Sequence, residues 1–494
     1  MIRCDLLVVT VPYTDTDYPL QAPAIIKASV EKHGYVAHTL DLNNDFLKQK
    51  QTENFDLLKN YFSFRTINDK SKISIIEKYI KETAQKLLYK YNPTWIAMSV
   101  FTYQCQVFSE MLAREIKSVD PSIKIIFGGQ GISTVGIHVS EDWVKRLQKE
   151  KVIDHYIISE GEVSIIALLQ KGHGPGIDNK NWQQQLDLER APLPNYSDYN
   201  LNDYSSGRLM ITGSRGCVRK CSFCDIHKHW KKFVFRSGGS ISDEMIEQSK
   251  TYKKYKFQFT DSLINGSMKA YRDFIKKMAN YNSTTENKLS WGGQFIVRGL
   301  GSMTRNDWNL TKLAGAESLS IGVESGSESV RNHMKKQFSD RDLDEFVEQA
   351  FINEIQLTFL MIIGYPTETE SDFQHTLDMF DRYRKYKKII KPIQLGSTLG
   401  VLPGTPLAEE HGADLELNNG ENFWIYNHNK NLDFKERIRR RIFAGEELIK
   451  MGYEIVDNES QIKLLHFLWN VYKKKQKQGL IDLNTSEVSG QKYS

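Results

Sequence analysis

Three cysteines within eight residues, Cys217, Cys221 and Cys224, constrain this chain more than any other feature of its sequence. They stand in ITGSRGCVRKCSFCDIHKHW as a C-x3-C-x2-C pattern directly after a strand-like run, and the spacing lets one loop turn three thiolates toward a common point. Three thiolates satisfy three corners of a four-iron four-sulfur cluster and leave the fourth iron open, whereas a closed zinc site takes four ligands. No fourth cysteine is near in sequence. His227 and His229 would be the completing ligands of a zinc site, or else polar residues of the following loop. A plain trio of core cysteines sits badly beside Gly213, Gly216 and the basic neighbours, which make a loop and not a core. Only Cys4 and Cys105 remain of the five in 494 residues. So odd and sparse a set reads as intracellular, and those two as small core residues.

Length implies two to four domains, each able to bury a core. The 40% hydrophobic and 26% charged residues are those of a globular chain. Net charge of +5 (66 basic, 61 acidic) gives no dominant basic footprint, so nucleic acid is not expected as a partner. The basic runs Arg382–Lys391, Arg437–Arg441 and Lys473–Lys477 read as solvated helix faces. No apolar stretch approaches 18 residues and MIRCDLLVVTVPY is too short for a signal sequence, so no membrane partner and a cytoplasmic location are expected.

From Asp5 to Leu169, β-branched runs (6–11, 35–40, 95–100, 124–127, 155–158) alternate with helical spacing (24–32, 75–89, 106–116). This predicts an α/β fold with a doubly wound parallel sheet, whose carboxyl edge gathers 12–23, 99–104, 128–133 and 160–162. A Gly- and Pro-rich stretch follows. From Arg208 to Val401 six further strand–helix units are too few for a closed eight-stranded barrel and suffice for an open, partial (βα)6 one. The predicted domains are 1–170, a linker 171–205, 206–405, and a helical C-terminal region 406–494 frayed after Gly479.

With Phe223 just before its third cysteine, the motif resembles the radical S-adenosylmethionine superfamily. The resemblance implies that the open iron chelates S-adenosylmethionine and that the reduced cluster cleaves it to a 5'-deoxyadenosyl radical. It continues in FQFTDSLINGS, placing Asp261 at the barrel mouth, in GGQFIVRG, placing Arg298 near the methionine carboxylate, and in LSIGVESGSESVRNHMKK, turning Glu324 and Ser325 to the cofactor. FLMIIGYPTETESDF sets the Ile363 and Gly364 backbone against adenine, with Pro366 and Glu368 in the next turn. VLPGTPLAE resembles the closing segment. Read singly, the carboxylates are also helix caps, Arg298 a surface ion pair and the glycines turn formers.

The first domain is similar to the cobalamin-binding-type domain of one radical S-adenosylmethionine class. The matching residues are Pro12, Pro23, Gly34, Asp41, Ser99, Gly128, Gly129, and Glu160 with the pair Gly161–Glu162. The D-x-H-x-x-G motif is absent, and His33 and His38 fall near a helix end and the next strand. The resemblance then implies a lower cobalt face without histidine, toward Thr102, Tyr103 or Gln104, or a domain that binds no corrin.

The resemblance implies a cobalamin-dependent methyltransferase acting on an unactivated carbon of a small molecule or peptide, served by an external flavodoxin- or ferredoxin-type electron donor. Alternatives are a radical cyclase, oxidase or rearrangement enzyme without methyl transfer, and a non-catalytic metal-cluster module that binds RNA. Methylthiotransferases match less well, since their N-terminal domain carries three cluster cysteines. Phe423–Tyr426 (FWIY) reads as an apolar lid or as core.

Overall fold

The computed structural model describes residues 4–64, 69–132, 141–158, 160–179, 184–396, 399–417, 423–456, 470 and 473–474. Outside the described residues lie Ser133 of the predicted edge, Lys180 and Asn181 of the linker, Ser397 and Thr398 near the end of the predicted strand–helix units, Lys475–Lys477 and the tail after Gly479. The chain forms two compact units, Met1–Ile211 with Glu244–Lys256, and Thr212–Asp243 with Phe257–Ser494.

In the first unit, β1 (Leu6–Thr10), β2 (Ala37–Asp41), β3 (Trp95–Ser99), β4 (Lys124–Gly128) and β5 (His155–Ile157) make a parallel sheet ordered β2-β1-β3-β4-β5. All five residues of β1 are buried, because helices cover both faces: Leu7 and Val9 enter one core cluster, Leu6 and Val8 the other. Each such side chain contributes about 1.5–3 kcal/mol. Both sides being covered is the condition for a doubly wound sheet. The long helix Lys70–Tyr91 opens on an Asp69 cap and stops at Asn92, whose φ of 42° is left-handed. Helices Leu42–Leu47, Phe55–Phe64 and Gly161–Lys171 lie beyond the helical segments that spacing marked. The Pro-punctuated stretch before residue 205 packs on this unit: Asp198 accepts from Lys27 Nζ at 2.6 Å and from the Thr39 N–H at 2.8 Å.

The second sheet runs β11-β10-β9-β8-β7-β6, from β6 (Arg208–Ile211), β7 (Lys256–Phe259), β8 (Ser290–Phe295), β9 (Ala316–Glu324), β10 (Gln356–Met361) and β11 (Ile390–Gln394). Its order is linear, so the predicted (βα)6 barrel is open. Strands β8 to β11 pair in parallel. Three of its helices begin with the same device, a capping box: Thr304 with Asp307, Ser339 with Asp342, and Thr369 with Asp372. The C-terminal region contributes the helix Phe434–Lys450 and also an antiparallel ribbon, Leu415–Leu417 with Trp424–Tyr426, that helical spacing did not predict. No described helix is long and apolar enough to cross a membrane.

Candidate active site

The cysteine loop leaves β6 through Ser214–Arg215, which pairs with Val234–Phe235, so the loop's two ends are tied together. Gly216, at φ 87°, is required there, since a Cβ would stand 2.6 Å from the Lys232 carbonyl. Beneath the loop Asp261 is buried, accepting from the Gly213 N–H at 2.8 Å and the Ser214 hydroxyl at 2.6 Å. Both its oxygens are thus engaged by the cysteine segment, and burial raises its carboxyl to about 7.

Cys217, Cys221 and Cys224 are half-buried. Burial pushes all three thiols up, Cys224 to about 11, while Lys336 and Arg219 pull Cys217 and Cys221 back. The thiols are near enough for Cys217 to raise Cys221, and for both to raise Cys224. Yet among the described residues no three His, Cys, Asp or Glu side chains converge as one metal ion requires. A single zinc draws its thiolates to about 2.3 Å from one point, whereas a cluster spreads them over separate irons. His227 Nε2 is tied to the Arg219 carbonyl at 2.6 Å, and His229 stands 3.9 Å from Asp225. Three thiols on one loop are the donor set that an open-cornered cluster takes, one thiolate at each of three irons.

Beside them lies a buried ion pair that the sequence half disclosed. Glu324, at the end of β9 with φ 66°, accepts from Lys336 Nζ at 3.0 Å, and that ammonium sits 5.9 Å from the Phe223 ring centre. Burial lowers the pKa of Lys336, but Glu324 and Cys221 more than offset it and hold it above the usual value. Lys336 was missed because in MKKQF nothing separates it from a surface lysine. The neighbouring Ser325 is wholly buried, its hydroxyl accepting from the Ser327 N–H at 3.1 Å. Arg298 donates to the Asn265 and Gly266 carbonyls, each at 2.7 Å. Burial and Arg219 lower its pKa.

After β10, Ile363 is buried and Gly364 takes φ 82° against the stem of Arg437, 2.7 Å from where a Cβ would stand. The Gly364 N–H donates to Glu368 at 3.1 Å, and Arg440 donates to the same carboxylate at 3.1 Å. Burial raises Glu368 to about 7. The run Arg437–Arg441 is therefore no solvated face: Arg437, Arg440 and Arg441 are buried, and Arg437 stacks 3.7 Å from the centre of Trp424. Phe423, Trp424 and Tyr426 are buried too, as core.

In the first unit, Ser99 ends β3 in register with Thr10 and Gly128. Thr102 precedes the 3-10 turn Tyr103–Cys105, and burial raises Tyr103. Gly129 has φ 99°, and a Cβ would meet the Val100 carbonyl at 2.5 Å. Its tightness thus serves loop-on-loop packing. Gly161 starts the helix Gly161–Lys171 against Ile26, Glu162 lies in its first turn, and Glu160 is buried, accepting from the Gln185 N–H. Cys4 precedes β1 and Cys105 follows β3, at opposite ends of parallel strands, so the two cannot share one cluster. His33 binds the Ser29 carbonyl, and His38 in β2 faces Asp198 at 3.6 Å.

Residues 211–380 match the Radical SAM superfamily. The chain is 22% identical over 407 residues to the threonylcarbamoyladenosine tRNA methylthiotransferase MtaB of Thermotoga maritima, covering 75% of this chain and 82% of that one. Such a relative removes support from the expectation that nucleic acid is no partner. Among solved structures, the radical S-adenosylmethionine methyltransferase TsrM of Kitasatospora setae, with cobalamin and a [4Fe-4S] cluster bound, aligns with TM-score 0.62 at 15% identity, covering 85% of this chain and 78% of TsrM. The cobalamin-dependent S-adenosylmethionine radical enzyme OxsB with aqua-cobalamin aligns with TM-score 0.62 at 16% identity, covering 97% and 72%. The likeness in fold spans both units. Residues 211–380 are accordingly a Radical SAM superfamily domain, which follows a doubly wound α/β domain in the chain.

Proposed function

We propose that this chain is a cobalamin-dependent radical SAM methyltransferase. Cys217, Cys221 and Cys224 hold a four-iron four-sulfur cluster. Phe223, Arg298, Glu324 and Ser325 surround the methionine end of S-adenosylmethionine, and the Ile363–Gly364 backbone meets its adenine. Asp261 acts through the loop it braces. Ser99, Thr102, Tyr103, Gly128, Gly129 and the Glu160–Glu162 turn hold cobalamin at the carboxyl edge of the first sheet, with no histidine supplied from that edge. Bound there, S-adenosylmethionine with the cluster would supply radical hydrogen abstraction, and cobalamin would supply methyl transfer. The substrate is a small molecule or peptide, and an external flavodoxin- or ferredoxin-type donor reduces the cluster.

The observation that carries this reading is the donor set: three mutually close, half-buried thiols on a loop closed by its own ribbon, with neighbouring His227 already engaged. Anaerobic reconstitution with iron, sulfide and hydroxocobalamin tests it. Expected are about four irons per chain, a bound-corrin absorption band and, on reduction with S-adenosylmethionine, 5'-deoxyadenosine. Deoxyadenosine without corrin uptake or any methylated product overturns the methyltransferase part. The second reading, methylthio transfer to tRNA, is favoured by the likeness to MtaB and opposed by the separation of Cys4 from Cys105. A thiomethylated nucleoside in digested tRNA would establish it.

A further inference from the structure

Between two of the cysteines, Ser222 is gripped by three distant segments. Its N–H donates to the Met334 carbonyl at 3.0 Å, its carbonyl accepts from the Leu407 N–H at 2.7 Å, and its hydroxyl lies 2.8 Å from the Tyr365 hydroxyl. Tyr365 is wholly buried, and its hydroxyl also stands 3.0 Å from His333 Nδ1. Met334, Tyr365 and Leu407 belong to one core cluster on which Phe223 packs. A relay Ser222–Tyr365–His333 thus leads from the middle of the cysteine motif to a half-buried imidazole whose ring centre lies 4.9 Å from that of His411.

A phenol has one proton, so Tyr365 donates to one neighbour and accepts from the other. Burial, His411 and Lys335 keep His333 below its ordinary pKa, with Glu410 opposing. When Nδ1 carries no proton, Ser222 donates to Tyr365 and Tyr365 to His333; when Nδ1 carries one, the order reverses. The two ends of the relay therefore share one donor direction, which fixes whether the Ser222 hydroxyl proton is spent on Tyr365. Hydrogen bonds to cluster sulfurs are a principal lever on reduction potential.

Resting on the cluster reading above, we propose that Tyr365 and His333 are positioning residues that act through Ser222 to hold the cysteine loop and set how readily its cluster accepts an electron.

The full-length chain, reconstituted anaerobically, tests this with Tyr365→Phe, which keeps the packed ring and removes the hydroxyl. The expected variant carries as much iron as the unaltered chain. Its reduced cluster has an altered electron paramagnetic resonance spectrum, and its ratio of reduced to oxidised cluster at a fixed poise changes at least threefold. His333→Gln moves the ratio in the same sense by less. In a Ser222→Ala background Tyr365→Phe adds nothing, since the route is gone. Wild-type spectra and ratios in both single variants overturn the relay, as does an undiminished Tyr365→Phe effect without the Ser222 hydroxyl. If Tyr365→Phe does not fold, His333→Gln decides alone. Failure of the unaltered chain to bind iron overturns the cluster reading instead.

Discussion

At the carboxyl edge of β1 to β5 loops are held by backbone against backbone: the Val100 carbonyl accepts from the Gly131 N–H at 2.9 Å and leaves Gly129 no room for a side chain. At the corresponding edge of β6 to β11 they are held by buried polar and charged groups. Asp261 lies under the cysteine segment, Lys336 on Glu324, and Arg440 on Glu368. The first arrangement fixes the loop after β4 by steric fit against backbone. The second makes a site whose local field is set by fixed charges in a poorly screened interior, suited to redox and radical chemistry.

The largest contrast is in metal binding. Cys221→Ala is expected to abolish cluster loading and all S-adenosylmethionine cleavage. Cys105→Ala, at a buried first-unit cysteine, leaves iron content unchanged and costs about 1 kcal/mol of stability. Iron and sulfide analysis beside thermal melting separates the two; loss of iron in the Cys105 variant would erase the division of labour.

Two carboxyls, one in each unit, differ next in acidity. Asp261 is raised by burial to about 7 from an ordinary carboxylate value. Its stabilising contribution is complete below that ordinary value and is lost as pH rises through 7, by up to roughly 4 kcal/mol. Asp154 in the first unit is the reverse case. Burial pushes it up, but Lys117, the Ile125 N–H and Lys124 outweigh that and hold it low. Its contribution is present above the ordinary carboxylate value and lost as pH falls below it. Hydrogen exchange from pH 4 to 8 is expected to show weakening amide protection around β7 that Asp261→Asn abolishes, and a flat response around β4.

The smallest contrast concerns two glycines. Gly129→Ala meets a fixed carbonyl at positive φ and is expected to cost about 2 kcal/mol. Gly364→Ala, also at positive φ, meets the flexible stem of Arg437 and is expected to cost about 1 kcal/mol. Equal melting shifts would mean that conformation alone, and not the neighbour, governs both.

Much was legible before folding was considered. Alternating apolar runs mark all five strands of the first sheet, and the six strand–helix units expected from Arg208 to Val401 correspond to a second sheet of six strands. The cysteine spacing puts three thiols on one loop, and Glu324, Ser325, Ile363 and Gly364 fall at or just after the ends of β9 and β10. Other residues were illegible for identifiable reasons. Lys336 and Arg440 belong to charge-rich stretches, where sequence predicts solvent and only burial reveals pairing. Tyr365 follows β10 and His333 ends the helix Glu328–His333, and nothing in their own stretches of sequence pairs the two.

The sequence by itself determined what neighbours in the chain can do together: the alternation that builds each sheet, and three thiols on one short loop, which stay close whatever the remainder folds into. Only the tertiary structure decided which charges lost water and found partners, and which hydroxyls met. Ser222 and Tyr365 are 143 residues apart, and Arg440 lies 72 from Glu368. Contacts at such separation exist only after the intervening strands have packed, and the low dielectric created by that packing is what gives a buried pair or relay its influence on the site.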